Sequence, residues 1–195
     1  MANEVVRCFI AVELPVDLIK QLKDFQEGLK SRGVNPAKWV DPASMHLTLK
    51  FLGGVDVQNL AALKDETGVA VRSSRRFHLV TGRTGFFPGV MRPRVFWLGL
   101  EGDIDALVTL HKAIDDAISK LGYARESRPL TAHLTLARLK EESSIDDRGK
   151  FARTVQTAVF EPPCNMEVNS VALMRSRLTP RGAIYTRLAE FALPG

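Results

Sequence analysis

His46-Leu47-Thr48-Leu49-Lys50-Phe51-Leu52 and His133-Leu134-Thr135-Leu136-Ala137-Arg138-Leu139 are two copies of one pattern, the second 87 residues after the first. Each copy follows a proline by a few residues, Pro42 and Pro129. Solenoid repeats recur at up to about 50 residues, so this spacing fits two halves of one domain better than a repeat array. Alternating His-x-Thr reads as a strand, because side chains two apart leave a strand on the same face. His46 and Thr48 then point one way, and Leu47 and Leu49 the other. Two such strands facing each other across a cleft bring two imidazoles and two hydroxyls together. The result is a phosphate-sized site with an acid and a base and no need of a metal. One His-x-Thr in an apolar strand is ordinary, but two copies with matching flanks use half of the chain's four histidines.

The composition suits this picture. The chain has 195 residues, 45% of them hydrophobic, which is enough for a core in one medium-sized domain. We therefore expect residues 1–195 to form a single bilobal domain. The net charge of +5 is compatible with a polyanionic partner. The arginines cluster in sequence: Arg72, Arg75, Arg76, Arg83, Arg92 and Arg94, then Arg175, Arg177, Arg181 and Arg187. Arginine is the side chain best suited to bidentate phosphate contacts. Two cysteines, Cys8 and Cys164, suggest neither a disulfide framework nor a CxxC metal site. The N-terminal segment lacks a basic region and a long apolar run, and no stretch approaches the ~18 apolar residues of a membrane span. The expectation is a cytoplasmic protein with no membrane partner.

Strands are expected at Arg7–Val12, at Lys38–Val40, over both histidine motifs, at Phe77–Thr81 and at Val95–Leu100. Pro15 opens a helix carrying Leu18, Leu22, Phe25 and Leu29. Asp56 is a candidate cap for a helix over Val57–Val71. Asp103 is a candidate cap for a helix striped with Ile104, Leu107, Leu110, Ile114, Ile118 and Leu121. Gly82–Pro93 reads as a loop. Glu141–Arg153 reads as an exposed loop and short helix. Met166–Met174 and Ala183–Phe191 read as two strands joined by Ser176–Gly182. Several connections are too short for parallel crossovers, and no Gly-rich phosphate loop follows the first strand. The expected fold class is α+β. It has two similar lobes, each an antiparallel sheet with helices outside, related by a pseudo-twofold around a central cleft.

Paired His-x-Thr-x motifs resemble those of the two-histidine (2H) phosphoesterases. The flanks resemble the branch known as RNA 2′,3′-cyclic phosphodiesterases or 2′-5′ RNA ligases (LigT-like). The similarity runs nearly end to end, through Arg7-Cys-Phe-Ile-Ala-Val12, Trp39-Val40, Met45–Gly53, Phe86–Pro88, Pro93–Trp97, Arg128–Arg138 and the ending Ser176…Gly182…Tyr185…Leu188…Phe191. Ala132 stands directly before His133, where many relatives have proline. The resemblance implies opening of RNA 2′,3′-cyclic phosphates to 2′-phosphates without a cofactor. The implied partners are RNA ends or nucleoside 2′,3′-cyclic phosphates, and the protein is expected to be a monomer.

The residues fit that chemistry. One imidazole must start protonated and one neutral, although the near-symmetric motifs do not order them. By resemblance, His46 is the proton donor to the departing 3′ oxygen and His133 the acceptor that activates water. Thr48 and Thr135 would donate hydrogen bonds to the non-bridging oxygens. Arg138 lies on the opposite face from His133 if the strand is regular, so a role at the phosphate requires a bend or bulge; the resemblance favours that role. Lys50 shares the face of His46 and Thr48, as an added positive charge or as a rim lysine. Phe9 and Tyr185 are candidates to stack on a base. The Arg-rich segments Gly82–Arg94 and Arg175–Arg181, with Arg92 and Arg181 foremost, are expected to flank the cleft and contact the RNA strand. A zinc site at the two histidines would need further ligands, and no cysteine or histidine is suitably placed. Two alternatives remain on the sequence. One is 2′-5′ ligation of tRNA halves, the same chemistry reversed with a 5′-hydroxyl replacing water. The other is a non-catalytic RNA-binding protein of the same fold.

Overall fold

The computed structural model describes residues 4–33, 37–180 and 182–195. It is an α+β fold built on two antiparallel sheets. The first sheet holds β3 (His46–Asp56), β1 (Val5–Glu13), β8 (Ser170–Thr179) and β9 (Gly182–Ala192), in that order. The second holds β2 (Ala37–Trp39), β6 (His133–Leu139), β5 (Val95–Gly102), β4 (Phe77–Phe87) and β7 (Asn165–Val168). Four α-helices lie among the described residues: α1 (Val16–Lys30), α2 (Leu60–Val71), α3 (Ile104–Ser119) and α4 (Ile145–Val155). None is long and apolar enough to cross a membrane.

The two halves correspond. β1–α1–β3 leads to the first histidine strand, and β5–α3–β6 leads to the second. The connecting helices exchange sides. α1 follows a strand of the first sheet, yet its Gln26 bonds to Leu136 in the second. α3 follows a strand of the second sheet, yet its Asp115 bonds to Lys50 in the first. Leu18, Leu22 and Leu29 of α1 and Leu107, Leu110, Ile114 and Ile118 of α3 are buried in one continuous core shared by both sheets. This exchange welds the lobes together.

Four readings need correction. Gly82–Phe87 is not loop but the continuation of β4, pairing with β5 from Thr84↔Leu98 to Phe87↔Val95. Its glycines admit neighbouring side chains rather than turn the chain: a Cβ at Gly85 would lie 2.3 Å from the Trp97 ring. The expected strand over Met166–Met174 is two strands. β7 pairs with β4 in the second sheet and β8 with β1 in the first, so the chain crosses between lobes at Asn169. β8 runs on to Thr179, which turns Ser176–Leu178 from loop into strand. Asp56 caps a short 3-10 turn, Val57–Asn59, and α2 starts only at Leu60.

Lys50 is also corrected. It is 1% exposed and faces the core, where its Nζ donates to Asp115 and to the Ala124 carbonyl at 2.8 Å. Burial opposes ionisation of Asp115, but the Lys50 and Glu126 N–H donors outweigh it and hold the carboxyl below the usual carboxylate range. That contribution to stability is present above the ordinary Asp pKa and is lost as pH falls through the depressed value. Removing one partner of a buried pair leaves an uncompensated charge. Asp115→Ala should cost about 3–5 kcal/mol in urea unfolding at neutral pH. A change under about 1 kcal/mol, the level of exposed pairs, would show that Lys50 reaches water.

Candidate active site

The two histidine strands, β3 and β6, approach each other directly. Both carry the expected alternation at their start, with Leu47, Leu49, Leu134 and Leu136 buried and His46, Thr48, His133 and Thr135 partly exposed. After four residues both break it in the same way. Thr48 pairs with Ala11 and Lys50 with the adjacent Ile10, so Leu49 has no partner in β1. Thr135 pairs with Trp97 and Ala137 with the adjacent Phe96, so Leu136 has none in β5. Each is a β-bulge, which reverses the faces of the residues that directly follow. Lys50 and Ala137 therefore turn into the core, and Phe51 and Arg138 turn out. The bulge that a phosphate role for Arg138 would need is present.

The imidazoles are set alike. His46 Nδ1 donates to the Ser44 carbonyl at 3.0 Å, and His133 Nδ1 to the Thr131 carbonyl at 2.7 Å. A carbonyl only accepts, so Nδ1 carries the proton and Nε2 is left for chemistry in both rings. Ser44 is held by a 3-10 turn, Pro42–Ser44, that Asp41 caps by accepting from the Ala43 N–H at 3.0 Å. Phe9 stacks on His46 at 4.6 Å and Tyr185 meets its edge at 5.1 Å. Phe87 meets His133 edge-on at 4.9 Å.

Burial pushes both imidazoles below their ordinary pKa near 6.5, the backbone bonds oppose this, and the Arg138 guanidinium pushes them further down. Acid–base work by the pair needs one ring protonated and one neutral. In the free protein that combination is most populated below pH 6.5 and declines as pH rises. The kcat/KM profile should be a bell with its maximum on the acid side of that value. The kcat profile should extend to higher pH, because a bound phosphodiester anion favours the charged imidazole. A kcat/KM maximum above neutrality would contradict both depressed values.

A cleft of about 690 Å³ opens at this face. His46, Arg138, Arg7 and Lys38 contribute its polar wall, and Phe51, Leu178 and Ile184 an apolar one. Tyr185 lines the cleft as anticipated. Phe9 borders the cleft too, but it is 3% exposed and packed against the rings of both His46 and Tyr185, which leaves it little free face for a base. Arg92 is exposed on the turn after β4 and lies outside the cleft lining. Arg181 lies outside the described residues. In β8 it is Ser176, Leu178 and Thr179 that line the cleft. Arg175 alternates to the other side, 3.9 Å from Glu4. Phe51 was missed in the sequence although a signal existed: it follows His46 by five residues as Arg138 follows His133. Among the described residues, no three His, Cys, Asp or Glu side chains are grouped to hold a metal ion.

The profile of the 2′-5′ RNA ligase superfamily matches residues 14–180. The chain belongs to this superfamily. It is 33% identical over 190 residues to an RNA 2′,3′-cyclic phosphodiesterase of Thermotoga maritima, covering 97% of each chain. It is 32% identical to one of Methanothermobacter thermautotrophicus, covering 96% of this chain and 99% of the relative. Among solved structures, E. coli LigT complexed with 3′-AMP is 26% identical, with a TM-score of 0.74 over 98% of this chain and 100% of that one. A Thermus thermophilus protein gives a TM-score of 0.78 at 28% identity, covering 97% of this chain and 98% of that one.

Proposed function

We propose that this superfamily member hydrolyses RNA 2′,3′-cyclic phosphate ends to 2′-phosphates by two-histidine acid–base catalysis, as a single 195-residue unit and a monomer. The observation that carries the reading is the matched pair of imidazoles, each fixed through Nδ1 so that Nε2 is free. The relatives named for this activity support it over nearly the full length of the chain. His46 protonates the departing 3′ oxygen, an assignment taken from the family resemblance. His133 takes the proton of the attacking water. The Thr48 and Thr135 hydroxyls and the Arg138 guanidinium bind the non-bridging oxygens, where charge accumulates in phosphoryl transfer. Phe51, 66% exposed at the apolar wall, offers a ring face to the terminal base.

The test is an assay on an oligonucleotide ending in a 2′,3′-cyclic phosphate, in the presence of EDTA, with identification of the product isomer. The expected product is the 2′-phosphate, formed at an undiminished rate. A 3′-phosphate product would invert the leaving group. Loss of activity in chelator, restored by a divalent ion, would replace the two-histidine mechanism with a metal-assisted one.

A further inference from the structure

We propose that Gln26 is a positioning residue for this reaction: its buried amide locks the bulge at Leu136 that turns Arg138 into the cleft. The inference rests on the reading of Arg138 as a phosphate contact.

Gln26 sits on the core-facing stripe of α1 among Leu18, Leu22 and Leu29, and it is 1% exposed. A buried amide is costly without hydrogen bonds, and leucine would pack there without that cost. Its Nε2 commits both protons to backbone, donating to the Val40 carbonyl at 2.9 Å and to the Leu136 carbonyl at 2.9 Å. Leu136 is the residue of β6 that has no partner in β5. Its carbonyl takes a second bond from the Val40 N–H at 2.9 Å. A bulge interrupts the ladder and leaves backbone groups to be satisfied elsewhere. Gln26 reaches the carbonyl of the residue at which β5 and β6 lose register, from the β2 side of β6, and it ties that residue to the chain at Val40.

The consequence falls on Arg138. Without the bulge, Arg138 would share a face with Leu134 and Leu136, both 0% exposed, where a guanidinium has no place. With it, Arg138 lines the cleft beside His46. Lys50 and Asp115 occupy the related position behind the bulge at Leu49. Each bulge is thus backed by a buried polar side chain from the exchanged helix.

The test is a double-mutant cycle with Gln26→Leu and Arg138→Ala, read by kcat/KM on a nucleoside 2′,3′-cyclic phosphate and by NMR titration of His46 and His133. Gln26→Leu should lower kcat/KM about tenfold or more, within the coupling seen for residues sharing one network. The double variant should be no slower than Arg138→Ala alone. Both histidines should titrate higher in Gln26→Leu, as in Arg138→Ala, because the guanidinium no longer faces them. Losses that multiply in the double variant, with unmoved histidine titrations, would make Gln26 a packing residue and overturn the proposal. If the leucine variant does not fold, Gln26→Met takes its place; if neither folds, the amide is needed for folding itself and the proposal fails. Wild-type kcat/KM in Arg138→Ala would instead sink the reading of Arg138. The titrations would then still report whether the amide holds the guanidinium in place.

Discussion

Replacing His46 or His133 with alanine should lower kcat by about 10²–10⁴-fold in each case, the usual contribution of a general acid or base. Both rings are partly exposed, and the core beneath the motifs is made by Leu47, Leu49, Leu134 and Leu136, each at most 2% exposed. The variants should therefore unfold at nearly the wild-type urea concentration. The pH profiles should separate the two roles. A donor must start protonated, so its loss removes the alkaline limb; an acceptor must start neutral, so its loss removes the acid limb. With His46 as donor, His46→Ala should keep only the acid limb and His133→Ala only the alkaline one. The reverse pattern would exchange the roles. A correctly folded single variant with near wild-type turnover would end the two-histidine mechanism.

Arg138→Ala should cost about 10²–10³-fold in kcat/KM, comparable to the loss of one donor from an oxyanion site. The bulge at Leu136 places the guanidinium in the cleft, and its charge acts on both imidazoles. A contact to the reacting phosphate is present whatever the length of the RNA, so a mononucleotide and an oligonucleotide should lose equally. Arg138→Lys should recover only part of the rate, because an ammonium supplies charge without the planar fork. A loss confined to oligonucleotides would move Arg138 from the reacting phosphate to the strand beyond it. Arg138→Ala should also shift the kcat/KM maximum toward higher pH, since its charge now depresses both histidines.

The sequence by itself determined the duplicated motif, the strand character of both copies and the common face of His46, Thr48, His133 and Thr135, because alternation is a local property of the chain. It also placed α1 and α3, whose apolar stripes recur at helical spacing. It misread Gly82 and Gly85 as loop, because what they admit, the Glu101 and Trp97 side chains, comes from another strand. The outward turn of Arg138 and Phe51 and the burial of Lys50 were decided by tertiary structure alone. A bulge exists only relative to a partner strand, and here the partners skip Leu49 and Leu136. Gln26 lies 110 residues from Leu136 in sequence, and Asp115 lies 65 from Lys50. Such pairings depend on which sheet each helix packs against, and no window of the sequence contains both partners.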